Sequence, residues 1–118
     1  MEPTLVGNSF QGPHRVWRRR QVDGGLAISR SIGDTALESA GVVPQPDVLK
    51  LPVTSHDKFL VMASDGVWDQ LSNEQVVAIA SQHDDPRVAS TAIVKEARRR
   101  WERDGAYVDD ITAMVIKM

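Results

Sequence analysis

The chain contains no cysteine, which excludes disulfides, thiolate zinc sites and cysteine nucleophiles. It has no apolar run near the roughly 20 residues that a membrane-spanning helix needs, and its first residues lack the basic-then-apolar pattern of a signal peptide. Nor does one sign of charge dominate. Lys and Arg number 14 against 16 Asp and Glu, for a net charge of −2, which argues against a general nucleic-acid-binding surface. Neither membrane nor nucleic acid is an expected partner. The lack of thiols is compatible with a reducing compartment, so the expected setting is intracellular, cytoplasmic or nuclear. What is present is an ordinary globular composition, 42% hydrophobic and 25% charged over 118 residues, enough for one small domain with a core.

The most informative stretch is Phe59 to Asp69. Phe59 to Ala63 is a short apolar run with charge before it and Ser64-Asp65-Gly66 after it, the pattern of a strand buried on both faces. Gly66 permits a sharp turn, so Asp65 is expected at the strand's exit. There it has two readings: a cap for the following turn or helix, or a chemical group on a loop held by a rigid scaffold. A second acidic site, Asp109-Asp110, precedes the β-branched run Ile111 to Ile116, which reads as another buried strand. If the two strands are antiparallel neighbours, Asp65 and Asp109 meet at one end of the sheet. Two carboxylates so placed repel unless a cation lies between them. Mg²⁺ or Mn²⁺, which take oxygen ligands and keep several waters, suits such a place.

Residues 1–21 read as a lead-in, largely without order or forming an edge strand: Met1 to His14 lacks apolar periodicity, and Arg15 to Val22 could make an edge around the basic Arg18-Arg19-Arg20. Leu26 to Ile32 predicts a half-buried strand, Thr35 to Ala40 a brief helical turn, and Val48 to Leu51 a short strand forming a hairpin with Phe59 to Ala63. Ser72 with Gln75 forms a capping-box signal, with Leu71 and Val76 as its hydrophobic staple. Asp85-Pro86 starts a second helix, whose Ala89, Ile93, Ala97 and Trp101 recur as a core-facing stripe. The Arg98, Arg99, Arg100, Glu102 and Arg103 run reads as a solvated helix face, and Asp104-Gly105 as its stop. His14, His56 and His83 read as surface residues. The fold class is α+β, with an antiparallel sheet and flanking helices.

Three stretches, Gly24 to Asp34, Phe59 to Asp69 and Asp109 to Thr112, resemble successive signatures of the type 2C metal-dependent serine/threonine protein phosphatases. The likeness covers residues 22–118. It implies the C-terminal part of an α-β-β-α sandwich, with two Mn²⁺ or Mg²⁺ ions whose bridging water attacks phosphorus directly in phosphoserine and phosphothreonine. In those terms Asp65 and Asp109 match metal-binding aspartates, and Asp69 matches a position associated with an additional, weaker metal, its other reading being an N-terminal helix or turn role. Gly66 and Gly33 match turn residues, Trp68 a packing residue, and Asp34 a structural acceptor. Arg30 is a candidate to pair with a carboxylate within the fold. Asp110 stands where many members have Asn, a candidate to orient ligands rather than to bind metal.

The motifs of the family's N-terminal half, a Glu-Asp pair, an Asp-Gly-His-Gly-Gly stretch and a phosphate-gripping arginine, do not occur here. The resemblance therefore implies an incomplete domain, weak metal binding and an inactive isolated chain, with a phosphoprotein substrate for the complete enzyme. The competing reading is a catalytically inactive binding or regulatory module that self-associates through open sheet edges. A third, an aspartyl-phosphate enzyme with Asp65 as nucleophile, is disfavoured by element order, since its nucleophile strand would come early with helices alternating after it.

Overall fold

The computed structural model describes residues 4–6 and 9–11 by their backbone, and 14–17, 25–105 and 107–118 in full. They fall into two units, Met1–Leu51 and Pro52–Met118.

In the first unit, Thr4–Val6 (β1) and Ser9–Gln11 (β2) pair as an antiparallel hairpin. Residues 1–21 are expected to be largely without order or to form an edge strand; Thr, Val and Phe in these six residues favour extended backbone. Val16 and Leu26 exchange two backbone hydrogen bonds of 2.7 and 3.0 Å in an isolated bridge, while Arg18 to Val22 of the expected edge lies outside the described residues. Gly25 is fixed by packing, because a Cβ there would come within 2.6 Å of the Trp17 indole. The expected strand over Leu26 to Ile32 does not form. It has only the bridge to Val16 and another between Arg30 and Val43, and Ile32 is 94% exposed. Gly33 and Asp34 both adopt positive φ and lead into a 3-10 helix, Thr35–Ala40, which ends at Gly41 in the left-handed region. The helical turn expected there is present, with Leu37 and Val42 buried.

In the second unit, Phe59–Ala63 (β3) pairs antiparallel with Ala113–Lys117 (β4), in the register Val61↔Val115 and Ala63↔Ala113. This replaces the expected hairpin with Val48 to Leu51, which forms no strand; Val48 and Leu49 stand out in solvent. β3 runs directly into a one-turn helix, Asp65–Trp68 (α1), followed by Asn73–Ala80 (α2) and Pro86–Arg103 (α3). The capping box forms as expected: Ser72 Oγ accepts from Gln75 N, and Gln75 Oε1 accepts from Ser72 N. Asp85 Oδ1 accepts from Arg87 N at 2.8 Å with Pro86 in the first turn, and Gly105 at φ 66° follows the helix end at Asp104. No helix among the described residues is long and apolar enough to cross a membrane.

The core of this unit joins Val67, Leu71, Val76, Ala80, Ala89, Ile93, Ala97 and Val115. Ala89, Ile93 and Ala97 of the α3 stripe are thus buried as their spacing requires, while Trp101 is half-buried, each fully buried Val, Leu or Ile contributing roughly 1.5–3 kcal/mol. Ser90 Oγ accepts from Val115 N at 3.0 Å and donates to Pro86 O, tying β4 to α3. Arg100 departs from the expectation of a solvated face. Its Nη1 donates to Gln70 O at 2.7 Å and to Gln75 Oε1, and its Nε to Glu96, so it links α3 to the α1–α2 segment. Among the described residues of this unit one face of the sheet is covered, and Leu60, Met62, Met114 and Ile116 on the other are 41–53% exposed, where burial on both faces is the sequence expectation.

Candidate functional site

The β3–β4 register puts the end of β3 beside the start of β4, so Asp65 follows the last paired residue of one strand while Asp109 and Asp110 lead into the other. Hydrogen bonds extend the pairing past the strands. Ser64 N donates to Thr112 O at 3.0 Å, Thr112 N donates to Ser64 Oγ at 3.1 Å, and Ser64 Oγ donates to Asp110 O at 3.1 Å. The two acidic segments, 44 positions apart by residue number (109 − 65), therefore share one end of the sheet.

Asp65 is the first residue of α1, with Ser64 at the cap position. Its Oδ1 accepts from Gly66 N at 3.1 Å, and its charge favours a helix's first turn. One oxygen of Asp65 serves the turn, as the capping reading expects, while Oδ2 has no hydrogen-bond partner among the described residues. Asp109 is exposed, and its Oδ1 accepts from Asp110 N at 2.8 Å. Asp110 takes part through its carbonyl, with its side chain in solvent. Asp69 ends α1, exposed, its N–H bonded to Asp65 O at 2.8 Å. Asp34 lies in the first unit, where its carbonyl accepts from Leu37 N and its side chain makes no cap bond. Arg30 does pair with a carboxylate, that of Asp47, through two hydrogen bonds; the pair is exposed, and each group holds the other in its charged form.

Gly66 is needed for a reason other than a turn. Its backbone is helical rather than left-handed, but a Cβ would lie 2.3 Å from Asp110 O, so only glycine lets the acidic loop approach α1 this closely. Behind it, Trp101 Nε1 donates to Gly66 O at 2.8 Å, anchoring the site to α3. Trp68, at the surface, donates its Nε1 hydrogen to Ala63 O at 2.9 Å. Sequence reasoning missed the parts played by Ser64 and Trp101. The signal available for Trp101 was its N–H, which needs a partner when the ring packs on a core-facing stripe.

The donors at this end are carboxylate oxygens, the right type for Mg²⁺ or Mn²⁺. Among the described residues, however, no three Asp, Glu or His side chains converge to hold a metal ion.

A family model described as "Protein phosphatase 2C" matches residues 11–105, beginning ahead of the boundary expected at residue 22. "Probable protein phosphatase 2C 48" of Oryza sativa subsp. japonica is 39% identical over 107 residues, covering 89% of this chain and 30% of that protein. "Probable protein phosphatase 2C 12" of the same organism is 43% identical over 107 residues, covering 89% and 28%. In Arabidopsis thaliana, "Probable protein phosphatase 2C 34" is 36% identical, covering 89% and 30%. The crystal structure of serine-threonine phosphatase 2C from Toxoplasma gondii superposes with a TM-score of 0.73 at 31% identity, covering 84% of this chain and 32% of that one. The chain spans less than a third of the length of each.

Proposed function

The chain belongs to the protein phosphatase 2C family, and from that premise we propose that it is the C-terminal portion of a metal-dependent serine/threonine phosphatase domain. In this reading it contributes Asp65 and Asp109 to a site for Mn²⁺ or Mg²⁺, with Asp69, at the end of α1, a candidate for an additional, weaker ion. One observation carries the reading: the β3–β4 register and the bonds beyond it bring Asp65 and the Asp109 loop to one end of the sheet. A divalent cation held by Asp65 and Asp109 would supply positive charge and would acidify a bound water for hydrolysis of phosphoserine or phosphothreonine. The chain's own residues hold and orient: Gly66 admits the acidic loop, Trp101 braces α1 from behind, and the free Oδ2 of Asp65 is available as a ligand. Two observations support incompleteness. The sequence contains none of the N-terminal motifs named above, and no third ligand joins the pair among the described residues. The complete enzyme acts inside the cell, in cytoplasm or nucleus, on phosphoproteins.

A second reading, a phosphatase-like binding or regulatory module without turnover, is favoured by the two-carboxylate site and by the open face of Leu60, Met62, Met114 and Ile116, which suits self-association or a partner. Calorimetric titration of Mn²⁺ into the chain and its Asp65→Asn, Asp109→Asn double variant, with phosphatase turnover on the same samples, separates the two. Binding lost in the double variant supports the site, and turnover lost with it supports a working enzyme. Binding without turnover supports the module. Equal Mn²⁺ binding by both proteins overturns the assignment of these carboxylates.

A further inference from the structure

Ser64 stands where two elements compete for the same backbone. In a regular antiparallel pair, Ser64 and Thr112 would exchange two backbone bonds. Only one forms, from Ser64 N to Thr112 O. The carbonyl of Ser64 is instead taken by α1, accepting from Val67 N at 3.0 Å and Trp68 N at 3.4 Å. Thr112 N turns to the Ser64 hydroxyl, and the hydroxyl proton goes to Asp110 O. A serine at a helix cap position usually accepts from the helix's own free N–H groups, yet the Ser64 side chain makes no cap bond. The hydroxyl is diverted from the helix to the acidic loop.

We infer that Ser64 is a positioning residue: its hydroxyl bridges Asp110 O and Thr112 N, locks the Asp109–Asp110 loop to the exit of β3, and thereby sets the separation of the Asp65 and Asp109 carboxylates. This rests on the reading that those two carboxylates hold a divalent cation. Ser64 is not a nucleophile, because its proton is committed to a carbonyl, which is no base. In this geometry the hydroxyl donates once and accepts once, both times with the backbone of the acidic loop. Gly66 makes the clamp possible, since the same Asp110 O sits where its Cβ would be.

The test measures amide hydrogen exchange by NMR and Mn²⁺ affinity on the wild-type chain and on Ser64→Ala, Ser64→Thr and Asp65→Asn. Ser64→Ala is expected to speed exchange at Thr112 while the α3 amides keep their protection, and to weaken Mn²⁺ binding about 10-fold or more, the usual scale for partners that orient metal ligands. Ser64→Thr, which keeps the hydroxyl, restores both. If Ser64→Ala loses α3 protection as well, Ser64→Cys, of similar volume but a weak donor and acceptor, takes its place with the same expectations. Unchanged Mn²⁺ affinity in the hydroxyl-free variant, while Asp65→Asn abolishes binding, overturns the role of Ser64 and leaves the cation reading standing. A wild type that binds no Mn²⁺, or an Asp65→Asn variant that binds as wild type does, overturns the cation reading and the inference with it.

Discussion

Phe59 to Ala63 and Leu26 to Ile32 both present apolar side chains in strand-like runs, yet only the first becomes a strand. Phe59 to Ala63 has β4 alongside in full register, and every second side chain, Phe59, Val61 and Ala63, is partly buried against the core. Leu26 to Ile32, in the other unit, finds two isolated bridges among the described residues, and Ile28 and Ile32 stay in solvent. A β pattern states what a segment would bury, and pairing decides whether it does. The Val48 to Leu51 run teaches the same thing: the hairpin partner expected for Phe59 to Ala63 is displaced by a strand more than 50 residues further along the chain.

The sharpest way to break this contrast is at the cover beneath β4. Ile93→Ala removes a fully buried side chain of the α3 stripe and is expected to lower stability by about 2–5 kcal/mol in urea unfolding. Gly66→Ala, which pushes a Cβ into Asp110 O, is expected to cost about 1–3 kcal/mol and to shift the amide resonances of residues 109–112 before those of α3.

A smaller effect depends on pH. Hydrogen bonds from the Arg99 guanidinium, then Arg100, hold the Glu96 carboxyl down at about 2 against an ordinary 4.5. Because the folded-state value is the lower one, the stabilisation is complete above the ordinary value and is lost as pH falls from about 4.5 through about 2. Glu96→Gln is therefore expected to cost less than about 1 kcal/mol at neutral pH, as for partly solvated pairs, with the difference from wild type closing over that window in acid-range urea titrations. The smallest expected change is at Leu49→Ser, 80% exposed in the unit whose strand does not form: within about 0.5 kcal/mol of wild type.

Much of the second unit was legible because its signals are local. Ser72 and Gln75, Asp85 and Pro86, and Gly105 mark helix ends through bonds within a few residues. Asp65 and Asp109 could be brought together on paper because two apolar runs with acids at opposite ends have one antiparallel arrangement that joins them. The rest depends on distant contacts. Gly66 looked like a turn residue because nothing near it in sequence shows that Asp110 O will occupy its Cβ position. Arg100 sat in a charge run that looked solvated, and only the fold brings Gln70 O to it. The role of Ser64 emerges from a conflict between strand and helix over one carbonyl, which composition and periodicity do not record.

The most direct test of the central claim, that strand register joins Asp65 and Asp109 in one cation site, is paramagnetic broadening by Mn²⁺ in the ¹⁵N-labelled chain. Broadening of Asp65–Gly66 and Asp109–Asp110 amides at the same Mn²⁺ concentration, lost in both segments when either aspartate becomes asparagine, is the predicted result. Broadening confined to one segment, or persisting at one after the other's aspartate is replaced, would contradict it.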